Sequence, residues 1–121
     1  MSYIFGGASK FDGNISVLKT AVVIYMSIMF QGATEFNGTI SDWDTGGVTI
    51  MSTMFQGAYT FNDEVLDWDT VVVTDMSYMF FETSEFNSNI AGWDTAGVID
   101  MTNITNSGIL RGFVRIIQLT P

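Results

Sequence analysis

The chain has 121 residues, a net charge of −9 and neither cysteine nor histidine, which removes disulfides, thiolate chemistry, Cys-based zinc sites and the usual neutral-pH proton shuttle. A pI near 4.1 argues against nucleic acid and against an anionic membrane surface, since both call for a basic footprint. With 47% hydrophobic and only 14% charged residues, some apolar surface is expected to be covered by a partner or by another copy.

From its first residue the chain repeats itself. Met1, Met26, Met51, Met76 and Met101 fall into one column at a spacing of 25 residues, Phe36, Phe61 and Phe86 into a second, and Trp43, Trp68 and Trp93 into a third. A unit of this size cannot enclose a core alone, so burial has to come from stacking on neighbours. The opening MSYIFGGASK lacks the basic stretch and apolar run of a signal peptide. Ala21 to Phe30 is the most apolar run, but at about ten residues it is half of what a membrane span needs.

The first unit departs from the others where Leu18 and Lys19 stand for Trp and Asp. The units from Met26 and Met51 are the cleanest, and the fourth reads FFETS where the others read FQGA. Past Ile104 the pattern dissolves into GILRGFVRIIQLTP. The expected domain division is therefore a repeat array over 1–104 and an atypical cap or edge element over 105–121, with Ile109 to Leu119 as the closing strand.

Within a unit, the β-branched Val-Thr-Ile-Met piece predicts a short strand. MSTMFQGA predicts one helical turn closed by a left-handed glycine, and FNDEVLDWDT predicts a second extended segment. The fold class expected is a repeat solenoid, leucine-rich-repeat-like or β-solenoid, with short parallel strands and one helical turn per coil of 25 residues.

Residues one period apart then form ladders. The phenylalanine and tryptophan columns read as core, with a sugar-binding stripe as the rival for the tryptophans. Asn37, Asn62 and Asn87, with Asp12, read as a ladder that satisfies turn backbone. Asp44, Asp69 and Asp94 read either as turn caps, helped by Thr45, Thr70 and Thr95, or as a calcium site with Asp42, Asp63 and Asp67. The column Thr20, Thr45, Thr70, Thr95 and Thr120 also admits an ice-binding reading. Catalysis has little to draw on, because the four bases, Lys10, Lys19, Arg111 and Arg115, are confined to the ends. No catalytic residue, cofactor or metal ligand is assigned, and the chain is expected not to be an enzyme.

Met-Ser-x-Met-Phe, Gly-Ala, Phe-Asn, Ile and Trp-Asp-Thr followed by Val-Thr-x-Met together resemble the repeat of the BspA-like leucine-rich-repeat surface proteins. The resemblance implies an extracellular or cell-surface location and a role in adhesion or protein interaction. All the acids except Asp12 lie between Glu35 and Asp100, a stretch without a single base. Two functions follow as expectations. One is an interaction module whose acidic surface takes a protein or glycan ligand. The other is a structural subunit that stacks end to end into filaments, its basic tail docking on the acidic middle of a neighbour.

Overall fold

The structure, a computed structural model, describes residues 1–106. The expected closing element Ile109 to Leu119, the arginines Arg111 and Arg115 and the threonine Thr120 lie outside the described residues. Four coils, 1–25, 26–50, 51–75 and 76–100, lie one upon another, and a fifth begins at Met101.

The coils are not built from the elements that the periodicity predicts. Among the described residues there is no helix and no sheet; the strand content is four isolated bridge positions, Tyr25, Ile50, Asp75 and Asp100, paired in parallel. The solenoid of strands and helical turns, and with it the leucine-rich-repeat reading of the fold, is thereby corrected.

The reason lies in backbone conformation. In the third coil the N–H of Met54 donates to the carbonyl of Met51 (3.3 Å), that of Gln56 to Thr53 (3.2 Å) and that of Ala58 to Phe55 (2.9 Å). These are successive β-turns, each closed after three residues. Thr53 and Gly57 stand third in the outer two turns with φ of 56° and 72°, the left-handed position of a type II turn. A helix needs an unbroken run of negative φ, and two positive values in eight residues forbid it. The segment expected to be a second strand is likewise folded twice, by Trp68 N–H to Val65 (3.1 Å) and Val73 N–H to Thr70 (3.0 Å).

Turns use only half of the ribbon's N–H groups, and the other half join the coils. Met26, Ile28, Phe30 and Gly32 donate to the carbonyls of Ile50, Ser52, Met54 and Gln56, at 3.0, 3.1, 2.8 and 2.8 Å. Met51, Thr53, Phe55 and Gly57 repeat the pattern onto Asp75, Ser77, Met79 and Phe81. This accounts for the backbone polar groups of a coil that has no regular secondary structure. It also holds Ile28 and Thr53, β-branched residues at φ of 63° and 56°, in a region such side chains ordinarily avoid.

The core runs through the stack as columns. Met26, Met29, Phe30, Phe36, Ile40, Trp43 and Val48 are buried, and so are their counterparts one coil on. Within each coil the two phenylalanines stack in parallel, Phe30 on Phe36 at 4.2 Å and Phe55 on Phe61 at 4.1 Å. Between coils Phe30 meets Phe55 at 5.5 Å and Trp43 meets Trp68 at 6.5 Å, with interplanar angles of 4° and 3°. A buried large apolar side chain contributes about 1.5 to 3 kcal/mol, and an aromatic pair adds about 0.5 to 1.5.

Candidate interaction surface

The columns singled out in the sequence divide into buried and exposed sets. The tryptophans are buried, and each indole Nε1 donates to a carbonyl of the coil before: Trp43 to Ile15 (3.2 Å), Trp68 to Ile40 (3.1 Å) and Trp93 to Val65 (2.9 Å). No indole face is left open to a sugar ring. The threonine column is buried too, and Thr45 and Thr70 donate their hydroxyls to the carbonyls of Asp69 (2.9 Å) and Asp94 (2.8 Å). Buried hydroxyls offer no face to ice.

The asparagine column is exposed and works across coils. The N–H of Asn37 donates to Asp12 Oδ1 (3.0 Å), that of Asn62 to Asn37 Oδ1 (2.8 Å) and that of Asn87 to Asn62 Oδ1 (2.7 Å).

The aspartates named as turn caps or calcium ligands bond to backbone. Asp44, Asp69 and Asp94 each accept, on Oδ1, the N–H two residues further on, at 3.0, 3.0 and 2.9 Å. Asp63 reaches back a coil and accepts the N–H groups of Ile40 (2.7 Å) and Ser41 (3.0 Å) on one oxygen. Asp42 and Asp67 are exposed on the same side. Among the described residues no group of three or more acidic or other ligating side chains gathers where it would hold a metal ion.

Electrostatically this side is almost uncompensated. The ion pair among the described residues is Lys10 to Glu35, 2.9 Å, on the opposite margin of the coil. The hydrogen bond to Glu35, aided by its charge, holds the Lys10 ammonium above its ordinary range. Asp100 is held below the ordinary carboxylate range by hydrogen bonds from Thr102, first its N–H (2.8 Å) and then its hydroxyl.

Beside the aspartates runs an apolar strip that sequence reasoning missed. It is formed by the two residues that follow the threonine column and the two that follow the buried valine. Val22 and Ile99, each 88% exposed, lie on it with Ile24, Tyr25, Val71 and Val72. In the second coil the strip is interrupted by Gly46 and Gly47, which leave a notch between Val22 and the pair Val71 and Val72. The available signal was the variation at these two places, Ala-Val, Gly-Gly, Val-Val and Ala-Gly in successive coils, inside a repeat that holds its neighbours fixed.

Stacked 25-residue coils made of turns, with aromatic columns inside and an acidic and apolar flank outside, define the class: a tandem-repeat protein without helix or sheet among its described residues. The chain belongs to the family described as "Mycoplasma protein of unknown function, DUF285", which it matches over residues 1–109. This replaces the resemblance to BspA-like leucine-rich-repeat proteins, whose family the comparison does not return. With that resemblance goes the support for placing the chain outside the cell. Neither curated proteins nor solved structures gave a match. Among the described residues no helix is long and apolar enough to cross a membrane.

Proposed function

We propose that this protein is a non-enzymatic interaction scaffold that binds a cationic polypeptide along one flank of its coil stack. The observation that carries the reading is the row Asp44, Asp69 and Asp94. These exposed carboxylates stand one coil apart, and no base occurs anywhere between Glu35 and Asp100. Like charges at such spacing repel one another, and a partner's cations relieve that repulsion. Rigid turns fix the carboxylates in place, so the scaffold loses little conformational freedom on binding. The test is titration of the full chain with labelled cationic, anionic and neutral peptides and with neutral glycans, at low and high salt. Binding confined to the cationic peptides and weakened by salt is expected; equal binding to all probes, or to none, refutes the reading.

A second reading, self-association through coil ends, is favoured by the first coil. Ile4 is 55% exposed and Leu18 38%, whereas Met29 and Trp43 in the same columns are buried. Light scattering over a range of protein concentrations tests it, and a monomer throughout removes it.

A further inference from the structure

We infer that the notch at Gly46 and Gly47 is a receptor for an arginine side chain of the polypeptide partner, with the partner's adjoining apolar residues resting on Val22 and on Val71 and Val72. The inference deepens the proposed function and rests on it.

Backbone conformation does not explain these glycines. Neither belongs to the positive-φ set, which among glycines holds Gly7, Gly32 and Gly57, and the other coils carry Ala21 and Val22, Val71 and Val72, and Ala96 and Gly97 in the same two places. Their effect is to leave space. A Cβ on Gly46 would stand 3.3 Å from Asp44 Oδ1 and 3.4 Å from Asp69 Oδ2. One on Gly47 would stand 3.5 Å from the Val23 carbonyl and 3.8 Å from that of Ala21. The empty volume is thus bordered by two carboxylate oxygens from adjacent coils and by two carbonyl oxygens.

Its shoulders are apolar. Val22 and Val72 are two coils apart, roughly 10 Å at the usual inter-strand spacing, and both are exposed. Acceptors at the floor and methyl groups at the rim suit a long side chain with a cationic tip and an aliphatic stem. Of the two candidates, the guanidinium has the wider fork of donors and the weaker hydration, so several oxygens in different planes favour arginine over lysine. The notch lies on the side of the stack and stays accessible whatever precedes or follows these coils.

Gly47→Val tests this cleanly. It installs the residue that the neighbouring coils carry, its Cβ meets only ordinary contacts, and it fills the notch without touching a carboxylate. The probe is a labelled apolar peptide with one central arginine, compared with the same peptide carrying citrulline. The full-length protein should bind the arginine peptide more tightly. Gly47→Val should weaken that binding by about tenfold or more, as expected for loss of a charge-assisted hydrogen-bonded group, with no fall in the urea midpoint. Asp69→Asn should weaken binding and flatten its salt dependence. If Gly47→Val binds the arginine peptide as well as the unmodified protein, the notch is refuted, while a retained salt dependence leaves the acidic-flank reading standing. If the unmodified protein does not distinguish arginine from citrulline, the notch and the reading fall together. Should Gly47→Val destabilise the fold, Val72→Gly replaces it: loss of a shoulder should weaken binding of the peptide, and unchanged binding refutes the inference.

Discussion

The tryptophan column offers the most direct test of how the coils hold together. Trp68 is buried, lies between Trp43 at 6.5 Å and Trp93 at 6.4 Å, and donates its indole N–H to the Ile40 carbonyl at 3.1 Å. That carbonyl also accepts the Trp43 backbone N–H at 3.2 Å, so it keeps one partner when the indole is removed. Trp68→Phe should therefore cost about 1 to 2 kcal/mol, for one hydrogen bond and a small void. Trp68→Ala removes the ring from both neighbours and leaves a large cavity, for about 4 to 6 kcal/mol. Against a total of about 5 to 15 kcal/mol for a domain of this size, the alanine variant should lie near the edge of folding. Trp43→Ala is the internal control. Trp43 has a tryptophan on one side only, Leu18 standing at its place in the first coil, so it should cost less by about 0.5 to 1.5 kcal/mol, the worth of one aromatic pair. Urea titration followed by far-ultraviolet circular dichroism measures all three. A Trp68→Ala cost below about 2 kcal/mol, when core deletions of this kind run to 3 to 5, would refute the stacking account, and so would equal costs for phenylalanine and alanine.

Further expectations concern the turns and the surface. Gly57 stands at φ +72° with room for a Cβ, so Gly57→Ala should cost about 1 kcal/mol from conformation alone; Glu82, in the same column at φ 58°, predicts the reverse, Glu82→Gly leaving the urea midpoint unchanged or raised. Asn62→Ala deprives the Asn87 N–H of its acceptor and should cost about 0.5 to 1.5 kcal/mol, while Asn62→Asp should recover most of this, because Asp12 already serves in that role for Asn37; thermal melts of the two variants decide. The pH dependence has two arms. The Asp100 carboxyl is depressed by Thr102, so its contribution is present above the unfolded value of about 3.9 and lost as pH falls through the lower folded value. The Lys10 ammonium is raised by Glu35, so its contribution is present below about 10.4 and lost as pH climbs through the raised value. Melting temperatures should accordingly lose some acid dependence in Asp100→Asn and some alkaline dependence in Lys10→Met.

What was legible in the sequence was the register. Identical residues at a fixed spacing tell which side chains will be neighbours, and the methionine, phenylalanine and tryptophan columns do meet across coils. The local conformation was not legible, because MSTMFQGA satisfies a helical spacing of apolar residues and a succession of turns equally well. What separates them is a positive φ at Thr53, and nothing in a threonine announces it. That conformation is imposed by the bond from its N–H to Ser77, a tertiary effect that overrides local preference. The second extended segment was misread for the same reason: the turn Val65 to Trp68 contains no glycine or proline to mark it. Of the candidate surface, the acid row could be seen in the charge distribution. The apolar strip and its notch could not, since only the fold shows that the residues after the threonine column face outward.

The alternation of N–H groups along the ribbon carries a further consequence. Met51, Thr53, Phe55 and Gly57 serve the adjacent coil, while Met54, Gln56 and Ala58 close the turns within their own. Adding or deleting a single residue between Met51 and Ala58 would exchange the two sets and send half of these donors the wrong way. Substitutions on the outer positions are free of this constraint, but length is not. Such a protein can grow or shrink only by whole coils, its period enforced by backbone geometry and its variety confined to what the coils display.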